Sequence, residues 1–235
     1  MTTPIPCSPP FRKEDRTRDH CYIEVDGQLK EASWRYERGQ AFPQDFTDTS
    51  PELDILIHDQ QLSDAMSDLW KISTLMGYGS DAVVRLQGES AYPVIKLAHP
   101  KPECRQRIQK EFEVMRRLSH LGFVAKISPE PLKDEEGIFG FRLERLHKMT
   151  KEETTSRKGE IGTLVEQLHQ TGYCHGDIHF CNIMKRGNEE LALIDFAYAG
   201  ALGELVPDHV PKYMHPTRVY QVEVDLERIG GGRFI

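Results

Sequence analysis

His175-Gly176-Asp177-Ile178-His179-Phe180-Cys181-Asn182 decides the reading of this chain, together with the apolar run Leu191 to Ile194 and the Asp195-Phe196 pair that closes it. Two acids and one amide fall at the ends of short apolar segments. Chemistry on a phosphate needs a carboxylate to orient or deprotonate a hydroxyl nucleophile, and oxygen ligands to hold Mg²⁺ on the phosphate oxygens. Asp177, Asn182 and Asp195 supply that set.

Upstream, Trp70, Ile72 and Leu75 lead into Met76-Gly77-Tyr78-Gly79-Ser80-Asp81, then Ala82 to Leu86, a turn at Gly88, and Tyr92 to Leu97. The pattern predicts three antiparallel strands joined by tight turns. Gly77-x-Gly79 sits in a strand turn, where glycine lets backbone amides approach phosphate, and Lys96 ends the third strand, where an ammonium could reach the same phosphates. Taken alone, each has a plainer reading, as an ordinary hairpin turn and a solvated lysine. Ile108, Phe112, Met115 and Leu118 recur at helical steps and predict a helix from about 103 to 119 that carries Glu111 among its charges. Ile138 to Leu143 reads as a strand. Thr150-Lys-Glu-Glu153 has the reciprocal pattern that starts a helix, Ile161, Leu164, Val165 and Leu168 form its apolar stripe, and Gly172 is placed to end it. Ile183-Met184, the polar turn Arg186 to Glu190 and Leu191 to Ile194 form a hairpin.

Away from this segment the sequence says less. Residues 1–20 hold four prolines and the charge-dense run Arg12 to Asp19, a composition that predicts a disordered tail. Residues 21–69 form an N-terminal extension with short alternations and the cluster Leu53 to Ile57. Acidic residues number 37 against 30 Lys and Arg, for a net charge of −7, which argues against general nucleic-acid binding. The longest apolar runs fall far below a membrane span, so no membrane partner and a cytoplasmic or nuclear location are expected. Five scattered cysteines suggest reduced thiols rather than a disulfide framework.

H-x-D-x-x-x-x-N followed by an apolar strand ending in D-F resembles the catalytic and metal-binding loops of the protein kinase-like superfamily. The resemblance covers about residues 70 to 229. It implies an α/β (α+β) two-lobed fold, with an antiparallel-sheet N-lobe in 70–146 and an abbreviated, mostly helical C-lobe in 147–235. It implies ATP and Mg²⁺ as cofactors, with Asp177 as the catalytic carboxylate and Asn182 and Asp195 as metal ligands. Lys96 would bind the phosphates and pair with Glu111, and the amides near Gly77, Gly79 and Ser80 would cover the phosphates. Val84, Val94 and Met184 would wall the adenine ring, and Glu144 to Leu146 would be the hinge that contacts it. His175 would be a packing residue against Phe196 and Met115. The implied activity is transfer of the γ-phosphoryl group to a hydroxyl of a protein or small molecule. The alternative is a pseudokinase that keeps the nucleotide pocket and acts as a binding or scaffold module.

Four departures bear on mechanism. Gly176 replaces the arginine that usually precedes the catalytic aspartate, which removes a receptor for an activation-loop phosphate. His179 makes the loop similar to small-molecule phosphotransferases of the aminoglycoside and choline kinase type. Ala197 replaces the glycine after Asp195-Phe196. Tyr213 to Pro216 resembles the end of an activation segment and Asp225-Leu-Glu-Arg the helix that anchors the catalytic loop, with ten residues after Asp225. Small atypical kinases, including the one in the tRNA threonylcarbamoylation complex, stop at a similar point. The short lobe is expected to be compensated by residues 21–69 or by a protein partner, and truncation from a longer ancestor is an equal reading. Cys174, His175, His179 and Cys181 are zinc-ligand types in an order that lacks paired short turns, and Cys181 could be a redox-sensitive thiol.

Overall fold

Asp26-Gly27 lies between two runs of strand-forming residues. In the computed structural model, which describes residues 4–12, 18–35, 56–60, 62–208, 210–212 and 214–230, it forms a two-residue hairpin turn. Both residues have positive φ, 50° and 72°, the backbone that matches the natural twist of paired strands. The earlier elements are β1 (Ile5–Pro6) and β2 (Phe11–Arg12); the hairpin itself is β3 (Arg18–Val25) and β4 (Gln28–Arg35), with β5 (Leu56–Asp59) beyond it. All five make one sheet in the order β1-β3-β4-β5, with β2 also on β3. Residues 5–6, 11–12 and 18–20, where composition predicts a disordered tail, are therefore strand residues. The reason is local: β3 offers unpaired edge groups, so short segments add to it through the backbone, with Cys7 N donating to Tyr22 O at 2.7 Å and Tyr22 N to Ser8 Oγ at 2.8 Å. Residues 1–3, 13–17, 36–55 and 231–235 lie outside the described residues, as does Tyr213 of the expected activation-segment end.

Helix α1 (Asp64–Lys71) starts at Ser63, whose hydroxyl accepts from Met66 N, and it contains Trp70. Trp70 thus ends a helix instead of leading into a strand. The three expected strands follow as β6 (Thr74–Tyr78), β7 (Ala82–Leu86) and β8 (Val94–Ala98); after α2 (Pro102–Arg117) come β9 (Leu132–Asp134) and β10 (Gly137–Leu143). These strands form a second antiparallel sheet, β6-β7-β8-β10-β9. One face of it, through Val83, Ile95, Leu97 and Phe139, joins Met66, Trp70, Tyr22, Leu29 and Cys7 in one core. Arg85 is 1% exposed on that same face. Its Nη1 donates to Glu24 at 2.5 Å, its Nε to Ser73 Oγ at 2.8 Å, and its guanidinium lies 4.1 Å from the Trp70 ring. The N-terminal extension is thus fastened to the second sheet by a buried charge whose donors are satisfied, the condition under which such a charge is tolerated.

Two compact units result, residues 1–108 with 131–142 and residues 109–130 with 143–235. In the second unit, α2 buries Phe112, Met115 and Leu118. Its later elements are β11 (His147–Lys148), α3 (Lys151–Ser156), α4 (Lys158–Gln170), β12 (Tyr173–Cys174), β13 (Ile183–Lys185), β14 (Leu191–Leu193), β15 (Gly200–Ala201) and α5 (Val222–Gly230). The capping box at Thr150 and Glu153 forms as the sequence indicates, but it opens α3 alone. The chain bends at Arg157 (φ −100°, ψ 14°) before α4. The Arg157 side chain bonds both Glu160 oxygens and Glu189 O across that bend. Helix α4 buries Ile161, Val165 and Leu168, and Gly172, at φ 84°, closes it. Strands β11, β13 and β14 pair in that order. Among the described residues no helix is long and apolar enough to cross a membrane.

Candidate active site

The first unit carries the residues expected from sequence to bind phosphate and adenine. Gly77 pairs with Val84, Val84 pairs with Lys96, and Leu86 pairs with Val94. Because side chains alternate along a strand, Gly77, Val84, Val94 and Lys96 share the face opposite the Trp70 core. A bulge between Leu75 and Gly77 bends β6 at this point. Gly79 N donates to Ala82 O at 2.8 Å, and Gly79 O meets His99 Nε2 at 2.9 Å, which fixes the turn that holds Ser80. A Cβ added at Gly77 or Gly79 would meet nothing within 4 Å, and neither has a positive φ. Neither turn geometry nor packing therefore requires glycine here, and the bare backbone leaves open space for close approach of a ligand.

The second unit carries the carboxylates. After β12 the chain turns at Gly176, φ 76°, into Asp177. Asn182 is 4% exposed. Its Nδ2 donates to Asp177 O at 2.9 Å and to Asp177 Oδ2 at 3.3 Å. That fixes the amide so that Oδ1 is the end left for a cation. Ile194 N donates to Asn182 O at 3.0 Å, so Asp195 emerges next to Asn182 at the end of the β13-β14 hairpin. Asp195 is left-handed (φ 65°, ψ 62°), a backbone that costs a non-glycine residue about 1 kcal/mol or more and persists where surrounding contacts impose it. Two of those contacts come from His175, whose Nε2 bonds Ile194 O at 2.9 Å and whose ring lies 4.6 Å from that of Phe196. His175 is fully buried, a packing residue against Phe196 as expected.

Asp177 is bracketed by Arg228 and His179. Arg228 Nη1 lies 2.6 Å from its Oδ1, and His179 Nε2 lies 3.6 Å from its Oδ2. Burial pushes the Asp177 carboxyl up, but His179 and Arg228 outweigh it and hold the group below the usual aspartate value. A carboxylate kept ionised suits orienting a hydroxyl more than removing its proton early.

Beneath the loop sits Asp225, with no exposure. It accepts from His175 N and Gly176 N, each at 2.8 Å, and from His169 Nε2 at 3.0 Å. Burial raises this carboxyl, yet the His169 bond and the two amides leave it lowered. Glu111 is 1% exposed on α2, so it is not a solvent-facing helix charge. Glu144 has its carboxylate held by Arg186 at 2.8 Å and by Lys126 N at 2.7 Å, and its own N–H bonds Lys126 O. Leu146 is buried, and Met184 pairs with Lys148 on one side and Ala192 on the other. The Cys181 thiol is exposed, and partial burial raises its pKa while Lys148 lowers it. The net upward shift is opposite to what an activated, redox-sensitive thiol requires.

Arg228 and His215 lie in the segments Asp225-Leu-Glu-Arg and Tyr213 to Pro216 that the sequence marks, but their place beside the Asp177 loop was not read from sequence.

No curated protein matches the chain. Residues 142–201, about a quarter of the length, match the Lipopolysaccharide kinase (Kdo/WaaP) family. That span contains Asp177, Asn182 and Asp195. The match over this span, with the antiparallel sheets and helices described above, fits a protein kinase-like α+β fold.

Proposed function

We propose that the protein is an ATP- and Mg²⁺-dependent phosphotransferase that moves the γ-phosphoryl group to a hydroxyl of a small molecule, with a sugar as the acceptor class. The observation that carries this reading is the coupling of Asp177 to Asn182, which ties a carboxylate and an amide together within one loop. Asn182 Oδ1 and the Asp195 carboxylate are hard oxygen donors suited to Mg²⁺. When bound, the ion neutralises charge on the phosphate oxygens as the phosphoryl group leaves. Lys96 holds the phosphates, and the amides of Gly77 to Ser80 cover them. Asp177 orients the acceptor hydroxyl in line, so that most of the acceleration comes from positioning and charge. The sugar class is supported by the family matched over 142–201 and by His179, which stands where the loop is similar to small-molecule phosphotransferases.

MgATP should raise the melting temperature, and Asp195→Asn should abolish the metal-dependent part of the rise. With γ-labelled ATP and lipopolysaccharide or water as acceptor, Asp177→Asn should lose transfer while keeping MgATP affinity. Equal transfer in the two proteins would refute the assignment and leave a nucleotide-binding module.

A further inference from the structure

We propose that Arg228, reaching in from α5, is the positioning residue that locks the Asp177 carboxylate in its working orientation. The inference rests on Asp177 being the hydroxyl-orienting carboxylate proposed above.

Each oxygen of Asp177 has its own donor. Arg228 Nη1 holds Oδ1 at 2.6 Å, and Asn182 Nδ2 holds Oδ2 at 3.3 Å. The carboxylate plane is thereby set from two directions, which a single ion pair would not do. The other arm of the guanidinium, Nη2, donates to Met214 O at 3.1 Å and lies 3.6 Å from Met214 Sδ. Met214 and His215 form a turn closed on Pro211 O, and His215 Nε2 meets Tyr198 O at 3.1 Å. Arg228 is thus a two-armed brace between the loop aspartate and the 211–215 turn. An ammonium, which is a point charge without a planar fork, would not span both partners in the same way.

The loop cannot provide this cation itself at position 176. Gly176 sits at φ 76°, and a Cβ there would overlap His215 Nε2 and Tyr198 O. The same helix grips the loop twice, because residues 225 and 228 share one helical face. Asp225 takes the main-chain amides of His175 and Gly176, and Arg228 takes the side chain of Asp177.

The test uses the full chain, with MgATP turnover to water as the readout. Arg228→Ala should lower kcat by roughly 100-fold, the scale of a misplaced reacting group, with the KM for MgATP within about threefold. Millimolar guanidinium should restore at least part of kcat in Arg228→Ala and none in Asp177→Asn. A kcat within about threefold of wild type, or a loss that guanidinium leaves untouched, overturns the proposal. Should Arg228→Ala fail to fold, Arg228→Lys decides: a folded protein with kcat down about tenfold supports the brace, and an unchanged kcat overturns it. Wild-type protein without Asp177-dependent turnover would sink the phosphotransferase reading and this inference with it, whereas normal turnover in Arg228→Ala sinks the inference alone.

Discussion

Asp225→Asn should loosen the loop that carries Asp177, and the cost can be worked from the contacts. The wild-type carboxylate is fully buried and serves three donors: the amides of His175 and Gly176 at 2.8 Å and His169 Nε2 at 3.0 Å. The amide variant keeps one oxygen and presents an NH₂ where the other stood. At least one buried N–H then loses its acceptor, which costs about 1–3 kcal/mol, and the remaining bonds lose charge assistance worth about 1 kcal/mol more. The sum, about 3 kcal/mol, is a large fraction of the whole stability of an ordinary domain. Because the structure divides into two compact units, a global midpoint would not isolate the effect, and amide hydrogen exchange at residues 175 and 176 reads it directly. A loss of about 3 kcal/mol corresponds to protection falling by roughly 100-fold. A fall of less than about threefold at both amides would refute the claim that α5 holds the loop through this carboxylate.

Two further outcomes follow from the same geometry. Gly176→Ala should destabilise the second unit by about 2 kcal/mol or more, from a left-handed backbone and overlap with His215 and Tyr198 O, and His215→Ala in the same chain should return only part of it, because the Tyr198 carbonyl remains; urea denaturation of the three proteins checks this. Asp134, held by Arg105 through two bonds of 2.8 Å, has its carboxyl lowered from 3.8 to about 2. A depressed carboxylate contributes stability that is complete above its unfolded value and is lost as the pH falls from about 4 to about 2, so wild type should lose at most about 2 kcal/mol over that window relative to Asp134→Asn. Superimposable melting curves for the two proteins across it would show that the pair contributes nothing.

What could be read in the sequence was the part that closes over a few residues. The Thr150 to Glu153 box, the helix-ending Gly172, the β13-β14 hairpin and the three strands around Gly77 and Lys96 all declare themselves through spacing. Each is satisfied by bonds inside its own segment. Misreadings fell where a distant partner decides the outcome. Residues 5–12 looked too polar and proline-rich to order, yet they take their hydrogen bonds from β3. Trp70 looked like an approach to a strand, but it ends a helix and stacks on Arg85. Asp26-Gly27 was a local signal for the N-terminal hairpin and went unused.

For the candidate residues, the order Lys96, Glu111, Asp177, Asn182, Asp195 was legible in the chain alone, and so was the kinase-like character, because the chemistry that the resemblance implies needs those residue types in a fixed order along the chain. Of the supports in the second unit, only the anchoring helix at Asp225-Leu-Glu-Arg was marked, by resemblance, and the pairings of individual side chains were not. Asp177 meets Arg228 across 51 positions, Glu144 meets Arg186 across 42, and Asp225 holds Gly176 across 49. Such pairs carry no periodicity or spacing, since a side chain's charge can be met from any element that folding brings near. Only the tertiary structure could say which arginine holds the loop aspartate, and why position 176 has no room for one.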